Sequence, residues 1–324
     1  LLQGRNYQLG YNSYMHTQIP LKYSQNFIRD PKLVDVLVEL ADLDHSDTVL
    51  DIGTGDGIIA RSLAKHVHKV IAIEKDSGLF LKAKENLREL KNVEVILDDI
   101  VRFKLPRSSY KVFANIPFSI TAEIVKKLFE DENPPKAAHL FMQKEAALKF
   151  CGAPLANESL SSLLYKPFYD IKVVYNFKKE DFDPIPSKDV CLLEFKQKEK
   201  FNVAPQQYPE YRDFVTYFLT RWKSNIKQDL KGVFSNLQTK ILAERLGFSL
   251  DAKPTELNYD TWLNLYKEFN KIVPPYKKRI IRGSFLQLNL NQLNMRRTNQ
   301  NNLEQYRNNG RSTNKRHNMA SRRR

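Results

Sequence analysis

The chain has 324 residues, 42% of them apolar, a formal charge of +15 and only two cysteines, Cys151 and Cys191. That apolar share supports one medium domain plus a small one, and no apolar run approaches the ~20 residues of a membrane-spanning helix. The cysteines are far apart and lack CxxC spacing, which argues against a disulfide framework or a zinc site and fits a reducing, cytoplasmic setting.

Residues 1–20 carry no signal-peptide pattern and read as a flexible leader. "KYSQNFI" (22–28) is polar and turn-like, and "KLVDVLVELADL" after Pro31 has the apolar spacing of a helix. Short apolar runs then predict strands: "TVLDI" (48–52), "KVIAIE" (69–74), "VEVIL" (93–97), "YKVFA" (110–114) and "AAHLFM" (137–142). Helical patterns over Ile58–Lys65, Leu79–Leu90 and Ile120–Glu130 separate them. Strand–helix alternation of this kind predicts a Rossmann-like α/β fold, a parallel sheet with helices on both faces. "DIKVVYNF" (170–177) and "VCLLEF" (190–195) have no helix between them and read as an added antiparallel pair. Beyond Lys200, "YRDFVTYFLTRW", "LQTKILAERLGF" and "YDTWLNLYKEF" predict a small α-helical domain over 201–273, after a catalytic body over 21–200.

The remainder, 274–324, is a basic tail. From Tyr276 to Arg324 it holds 13 Lys/Arg, ten Asn and one acid, Glu304, so the body carries only about +3. Its composition cannot bury enough apolar surface to offset ordering, which predicts disorder when free and a nucleic acid or other polyanion as partner. The six histidines form no ligand pattern, and no metal is expected.

"VLDIGTGDG" (49–57) ends a strand in a glycine-rich turn, where backbone can approach a ligand at the carboxyl edge of the sheet. The dinucleotide fingerprint G-x-G-x-x-G fails because position 58 is Ile. Asp51 and Asp56 in the turn disfavour a pyrophosphate and suit a cationic ligand such as S-adenosylmethionine. Glu74, at the tip of the next strand, is placed to accept from ribose hydroxyls. Asp98 or Asp99 in "LDDI" follows, as an acceptor for the adenine amino group of the donor.

"FANIPFSI" (113–120) then joins an amide, a stiff backbone and an aromatic ring. An exocyclic adenine amine is a poor nucleophile because its lone pair is delocalised into the ring. Two acceptors, the Asn115 side-chain oxygen and the Ile116 carbonyl held extended by Pro117, would favour a pyramidal nitrogen aimed at a methyl donor. Phe118 offers a flat face on which a flipped or splayed base stacks.

The order "YSQNFI", "DIGTGDG", "AIEKD", "DDI", "NIPF" resembles that of rRNA adenine N6-methyltransferases, and in particular the Erm family. Members of that family dimethylate an adenine of 23S rRNA and so block macrolide, lincosamide and streptogramin B binding. The resemblance covers roughly 20–273, including "DFDPIP" (181–186). It implies that Gln25, Asn26 and Ile28 line the cofactor, with Asp51 and Asn115 also at its site. Gly53 and Gly55 would approach the methionine part, Glu74 hold ribose and Asp99 adenine. Asn115, Ile116, Pro117 and Phe118 would act on the target base, with Phe182 as a second aromatic wall. It further implies a monomer, not bound to membrane, acting on nascent or unassembled 23S rRNA.

The sister family, which dimethylates adjacent 16S rRNA adenines, is the alternative. Ser24 and Ile116 favour the Erm branch, as do the C-terminal helices, whereas "MQKEAA" (142–147) is closer to the sister. Phe118 stands where the family more commonly has Tyr, and "PSKDV" (186–190) departs from the basic family pattern. A DNA adenine methyltransferase would normally carry a larger target-recognition region. A non-catalytic RNA-binding factor on this scaffold would tolerate loss of Glu74, Asp99 or Asn115, all of which are present.

Overall fold

A computed structural model describes residues 26–221, 224–295 and 298. In chain order, the first elements are β1 (Phe27–Ile28), α1 (Pro31–Glu39), β2 (Thr48–Ile52), α2 (Ile58–Leu63), β3 (Lys69–Glu74) and α3 (Ser77–Asn86). Next come β4 (Val93–Leu97), β5 (Lys111–Asn115), α4 (Thr121–Phe129), β6 (Ala137–Gln143), α5 (Lys144–Cys151) and α6 (Leu160–Tyr165). The remainder comprises β7 (Tyr169–Asn176), β8 (Phe182–Asp183), β9 (Val190–Gln197), α7 (Tyr208–Leu219), α8 (Ile226–Leu230), α9 (Asn236–Leu246), α10 (Tyr259–Ile272) and α11 (Pro275–Lys278).

The five predicted parallel strands are present, and their apolar runs have a physical cause. Val49, Leu50, Val112, Phe113, Ala114, Leu140 and Phe141 are fully buried, as expected of strands covered on both faces. The sheet order is β4-β3-β2-β5-β6-β9-β7. β2 lies parallel to both β3 and β5, with Asp51 opposite Ala72 and Leu50 opposite Val112. The chain therefore winds from β2 outward to β4 and then returns to the other side of β2 to form β5. The crevice between the carboxyl ends of β2 and β5 is the topological switch point, where α/β sheets bind ligands. β9 and β7 supply the antiparallel pair at the far end of the sheet.

Local chemistry sets the helix starts. Asp30 caps α1 ahead of Pro31, and Asp76 caps α3 by accepting from the Gly78 and Leu79 amides. Gly57 opens α2 at φ +94°, and a Cβ there would lie 2.7 Å from Leu87 Cδ1, so only glycine fits.

The described residues divide into two compact units, one running to residue 144 and resuming over 174–193, the other of 145–173 and the described residues from 194. This differs from the expected boundary at 200, because 145–173 group with the helical unit. The reason is packing. Leu163 and Leu164 of α6 are buried in the helical core, and the Tyr211 hydroxyl donates to the Leu163 carbonyl at 2.9 Å. That core is aromatic, with Tyr211, Phe214, Phe218, Trp262 and Phe269 all essentially inaccessible.

The predicted disorder of 274–324 also needs correction at its start. Residues 275–281 and 284–295 are helical, and Ile281 and Phe285 are buried. "RIIRGSFLQL" carries enough apolar surface to dock, which the Asn/Arg-rich average hid. The expected leader at 1–20 and the end of the tail lie outside the described residues. Among the described residues, no helix is long and apolar enough to cross a membrane, and no cluster of His, Cys, Asp or Glu is arranged to hold a metal.

Candidate active site

At the switch point, Asn26, Phe27, Gly53, Asn115, Ile116, Pro117 and Phe118 line one cleft. Gly53 leaves β2 at φ +72° and donates its N–H to the Ile73 carbonyl at 2.8 Å, which ties the glycine turn to the end of β3. At Gly55 (φ +63°), a Cβ would come within 3.0 Å of the Phe27 ring. Glycine is needed there for conformation and for the close approach of that ring.

The carboxylates around the turn fall into two kinds. Asp56 and Asp99 are paired with lysines, Asp56 with Lys82 at 3.3 Å and Asp99 with Lys75 at 2.7 Å. The hydrogen bond from Lys75 holds the Asp99 carboxyl below its usual range. Asp51 and Glu74 are buried and have no ion pair among the described residues. Glu74 accepts three backbone N–H groups, from Gly55 (2.9 Å), Lys75 (2.8 Å) and Asp76 (2.9 Å). A carboxylate offers about four lone-pair positions, so one remains for a ligand hydroxyl. Asp51 accepts from the Thr54 hydroxyl at 2.6 Å, while its Oδ1 is buried without a partner. Burial, with the Glu74 charge adding to it, pushes the Asp51 carboxyl up to about 7. A glycine turn over two buried carboxylates with no ion pair among the described residues fits a positively charged ligand and repels an anionic one.

Asn115 is the last residue of β5, one position beyond the predicted strand end. Its Nδ2 donates to the Asn26 carbonyl at 2.6 Å. That bond fixes the amide orientation and leaves Oδ1 as the acceptor of the side chain. Ile116 is buried, Pro117 turns the chain, and Phe118 begins a single 3-10 turn that runs into α4. Asn26 is itself held, since its Nδ2 donates to the Pro184 carbonyl at 2.6 Å. The backbone around it pairs antiparallel with β8, Phe27 opposite Asp183 and Ile28 opposite Phe182. Two segments more than 150 residues apart thus close on the Asn115 turn.

This pairing places two of the expected site residues away from the cleft. Ile28 and Phe182 face each other in register and both point into the core, 5% and 0% exposed. Phe182 packs edge-on against Phe177 at 5.1 Å, and neither it nor Ile28 is among the residues that line the Asn115 cleft. Strand alternation puts their neighbours outward, and Phe27 joins Phe118 as an aromatic ring at the cleft, one that no local sequence signal marked. Asn26, Gly53, Asn115, Ile116, Pro117 and Phe118 line that one cleft. Asp51, Gly55 and Glu74 stand behind them in the turn, and Asp99 lies past the end of β4. Gln25 lies outside the described residues.

A family model described as "Ribosomal RNA adenine dimethylase" matches residues 17–271. An "rRNA adenine N-6-methyltransferase" of Bacteroides fragilis is 31% identical over 259 residues, covering 79% of this chain and 96% of the relative. A "Ribosomal RNA small subunit methyltransferase A" of Fusobacterium nucleatum is 26% identical over 248 residues, 73% of this chain and 87% of the relative. The crystal structure of 23S rRNA methyltransferase ErmE has a TM-score of 0.71 at 24% identity, covering 76% of this chain and 100% of that one. At such identity the likeness shows the fold.

Proposed function

This chain belongs to the ribosomal RNA adenine dimethylase family, an S-adenosylmethionine-dependent rRNA adenine N6-methyltransferase, and from that premise we propose that its target is an adenine of 23S rRNA. Methylation there would confer resistance to macrolides, lincosamides and streptogramin B. The enzyme would act as a cytoplasmic monomer on nascent or unassembled large-subunit RNA. One observation carries the chemistry: the Asn115–Phe118 turn and Gly53 line the same cleft.

S-adenosylmethionine, when bound, supplies an electrophilic methyl group on a sulfonium. The residues fit it: Gly53 and Gly55 leave backbone open to its methionine part, and the buried charge of Asp51 and Glu74 suits a cation. Glu74 keeps one acceptor position for ribose, and Asp99 stands at the next strand end for adenine. Asn26 lines the same cleft.

On the target side, the Asn115 Oδ1 and the Ile116 carbonyl accept from the two N–H bonds of the adenine amine. This favours the pyramidal nitrogen and directs its lone pair. Phe118 stacks on the extruded base, a contact worth about 1–3 kcal/mol. No base of special pKa is required, since the amine proton can leave after transfer. The rate gain comes from orientation and fixed dipoles. The helical unit is assigned to RNA contacts.

Support for the 23S target comes from Ser24, Ile116 and the C-terminal helices. "MQKEAA" and the small-subunit relative favour 16S rRNA as a second reading. Transfer of labelled methyl to 23S and 16S transcripts separates the two. Label in N6-methylated adenine of the 23S transcript is expected, and label in 16S alone overturns the assignment.

A further inference from the structure

The segment from residue 275 lies beyond the family-matched residues, and its first part is folded. After α11, a turn at Arg279–Ile281 leads to Gly283 (φ +77°) and a helix over 284–295. Asp213 of α7 accepts from the Gly283 N–H at 2.7 Å and the Phe285 N–H at 3.0 Å, a helix cap supplied by another helix. The Arg212 guanidinium lies 4.2 Å from the Phe285 ring centroid, and Ile281 and Phe285 are buried in the helical core. Lys278 is tied at 3.0 Å to both the backbone and side-chain oxygens of Asn270.

These contacts fix the backbone that carries Arg279 and Arg282. Both are exposed, and neither has an ion pair among the described residues. The sequence then adds nine more Lys/Arg and a single acid up to Arg324. A guanidinium matches phosphate oxygens through its planar fork.

We propose that residues 275–295 form an anchored arm that holds Arg279 and Arg282 against phosphates of the rRNA substrate, adding affinity without reading bases. The proposal rests on the substrate being rRNA and is independent of which rRNA it is. Charge favours RNA as occupant. The competing occupant is a protein, which would use the exposed Leu286, Leu290 and Leu293 at helical spacing.

The test compares the full chain with its R279Q/R282Q variant on 23S and 16S transcripts, by binding titrations from 0.1 to 1 M salt. Each phosphate contact contributes roughly 0.7–0.9 to the slope of log affinity against log salt. Losing two should lower the slope by about 1.4–1.8. The chains should then bind equally near 1 M salt and differ by about 14- to 30-fold near 0.15 M. Single-turnover rate at saturating RNA should not change.

Asp213→Ala adds a second arm to the test. It removes a negative charge, so an unanchored polycation would bind RNA equally or more tightly, whereas an anchored arm loses its geometry and binds more weakly. If that variant folds poorly, the exposed arginine pair still decides. Superimposable salt lines for R279Q/R282Q overturn the proposal. So does truncation after residue 274 that leaves the salt line unchanged and converts a dimer to a monomer. Methyl transfer to the wrong transcript refutes the 23S reading alone and leaves the slope comparison intact.

Discussion

Replacing Asp51 with Asn should stabilise this protein at pH 8 and weaken its grip on the methyl donor. Asp51 is fully buried, accepts one hydrogen bond from Thr54, and leaves Oδ1 unpartnered. Its carboxyl is raised from 3.8 to about 7, by burial first and then by the Glu74 charge. A raised carboxyl in the folded state means that the unfolded chain ionises first. The contribution of Asp51 to stability is therefore greatest below about pH 4, falls as pH rises through the window from 4 to 7, and levels off above it. At about 1.4 kcal/mol per pH unit, the full cost is about 4 kcal/mol.

Asparagine carries no such cost. It can keep the Thr54 bond through Oδ1, but its buried NH2 group lacks an acceptor, a penalty of about 1–3 kcal/mol. The variant should be more stable than the native chain by about 1–3 kcal/mol at pH 8 and less stable by a similar amount near pH 4. Urea unfolding followed by circular dichroism across that range measures both. A stability difference that does not change with pH, or a variant less stable at pH 8, refutes the reasoning. Gain in stability with loss of donor affinity is the trade expected of a residue kept for function.

Glu74→Gln should also separate two roles. An amide in place of the carboxylate sets N–H against the N–H groups it now holds, costing about 1–3 kcal/mol in denaturant unfolding besides weakening donor binding. Unchanged stability would leave ribose as its only task. Phe118→Tyr should keep activity, and Phe118→Ala should lose roughly 1–3 kcal/mol of base stacking, seen as weaker binding of the transcript or slower transfer. An alanine variant with native rates would make Phe118 core filler. Asn26→Ala cuts the link from Pro184 to the Asn115 turn, so kcat should fall more than KM for the donor rises. A change confined to donor KM would restrict Asn26 to the cofactor.

The parallel strands were legible because burial on both faces makes each a continuous apolar run, as in "TVLDI" and "YKVFA". The switch-point cleft followed, since Gly53 and Asn115 each lie at the carboxyl end of a strand. What stayed hidden was non-local. β1 and β8 are two residues each and pair across more than 150 positions, so nothing near Phe27 or Phe182 tells which ring faces the cleft. Family resemblance pointed to Phe182, and register sends it inward. α6 carried no boundary signal, because its distant contacts, with Tyr208, Tyr211 and the rest of the helical core, place it in the helical unit. The start of the tail was averaged into its basic composition, which hid Ile281 and Phe285, both buried in the helical core.

In the proposed mechanism the Asn115 turn acts on the target amine while the glycine turn holds the donor. Asn115→Ala tests it most directly, with calorimetric donor titration and single-turnover transfer measured on one preparation. Loss of a fixed polar group that acts in the transition state typically costs about 10²–10³ in rate. A fall of that order in transfer, with donor affinity nearly unchanged, is the expected result. Normal turnover combined with a large loss of donor affinity would contradict it.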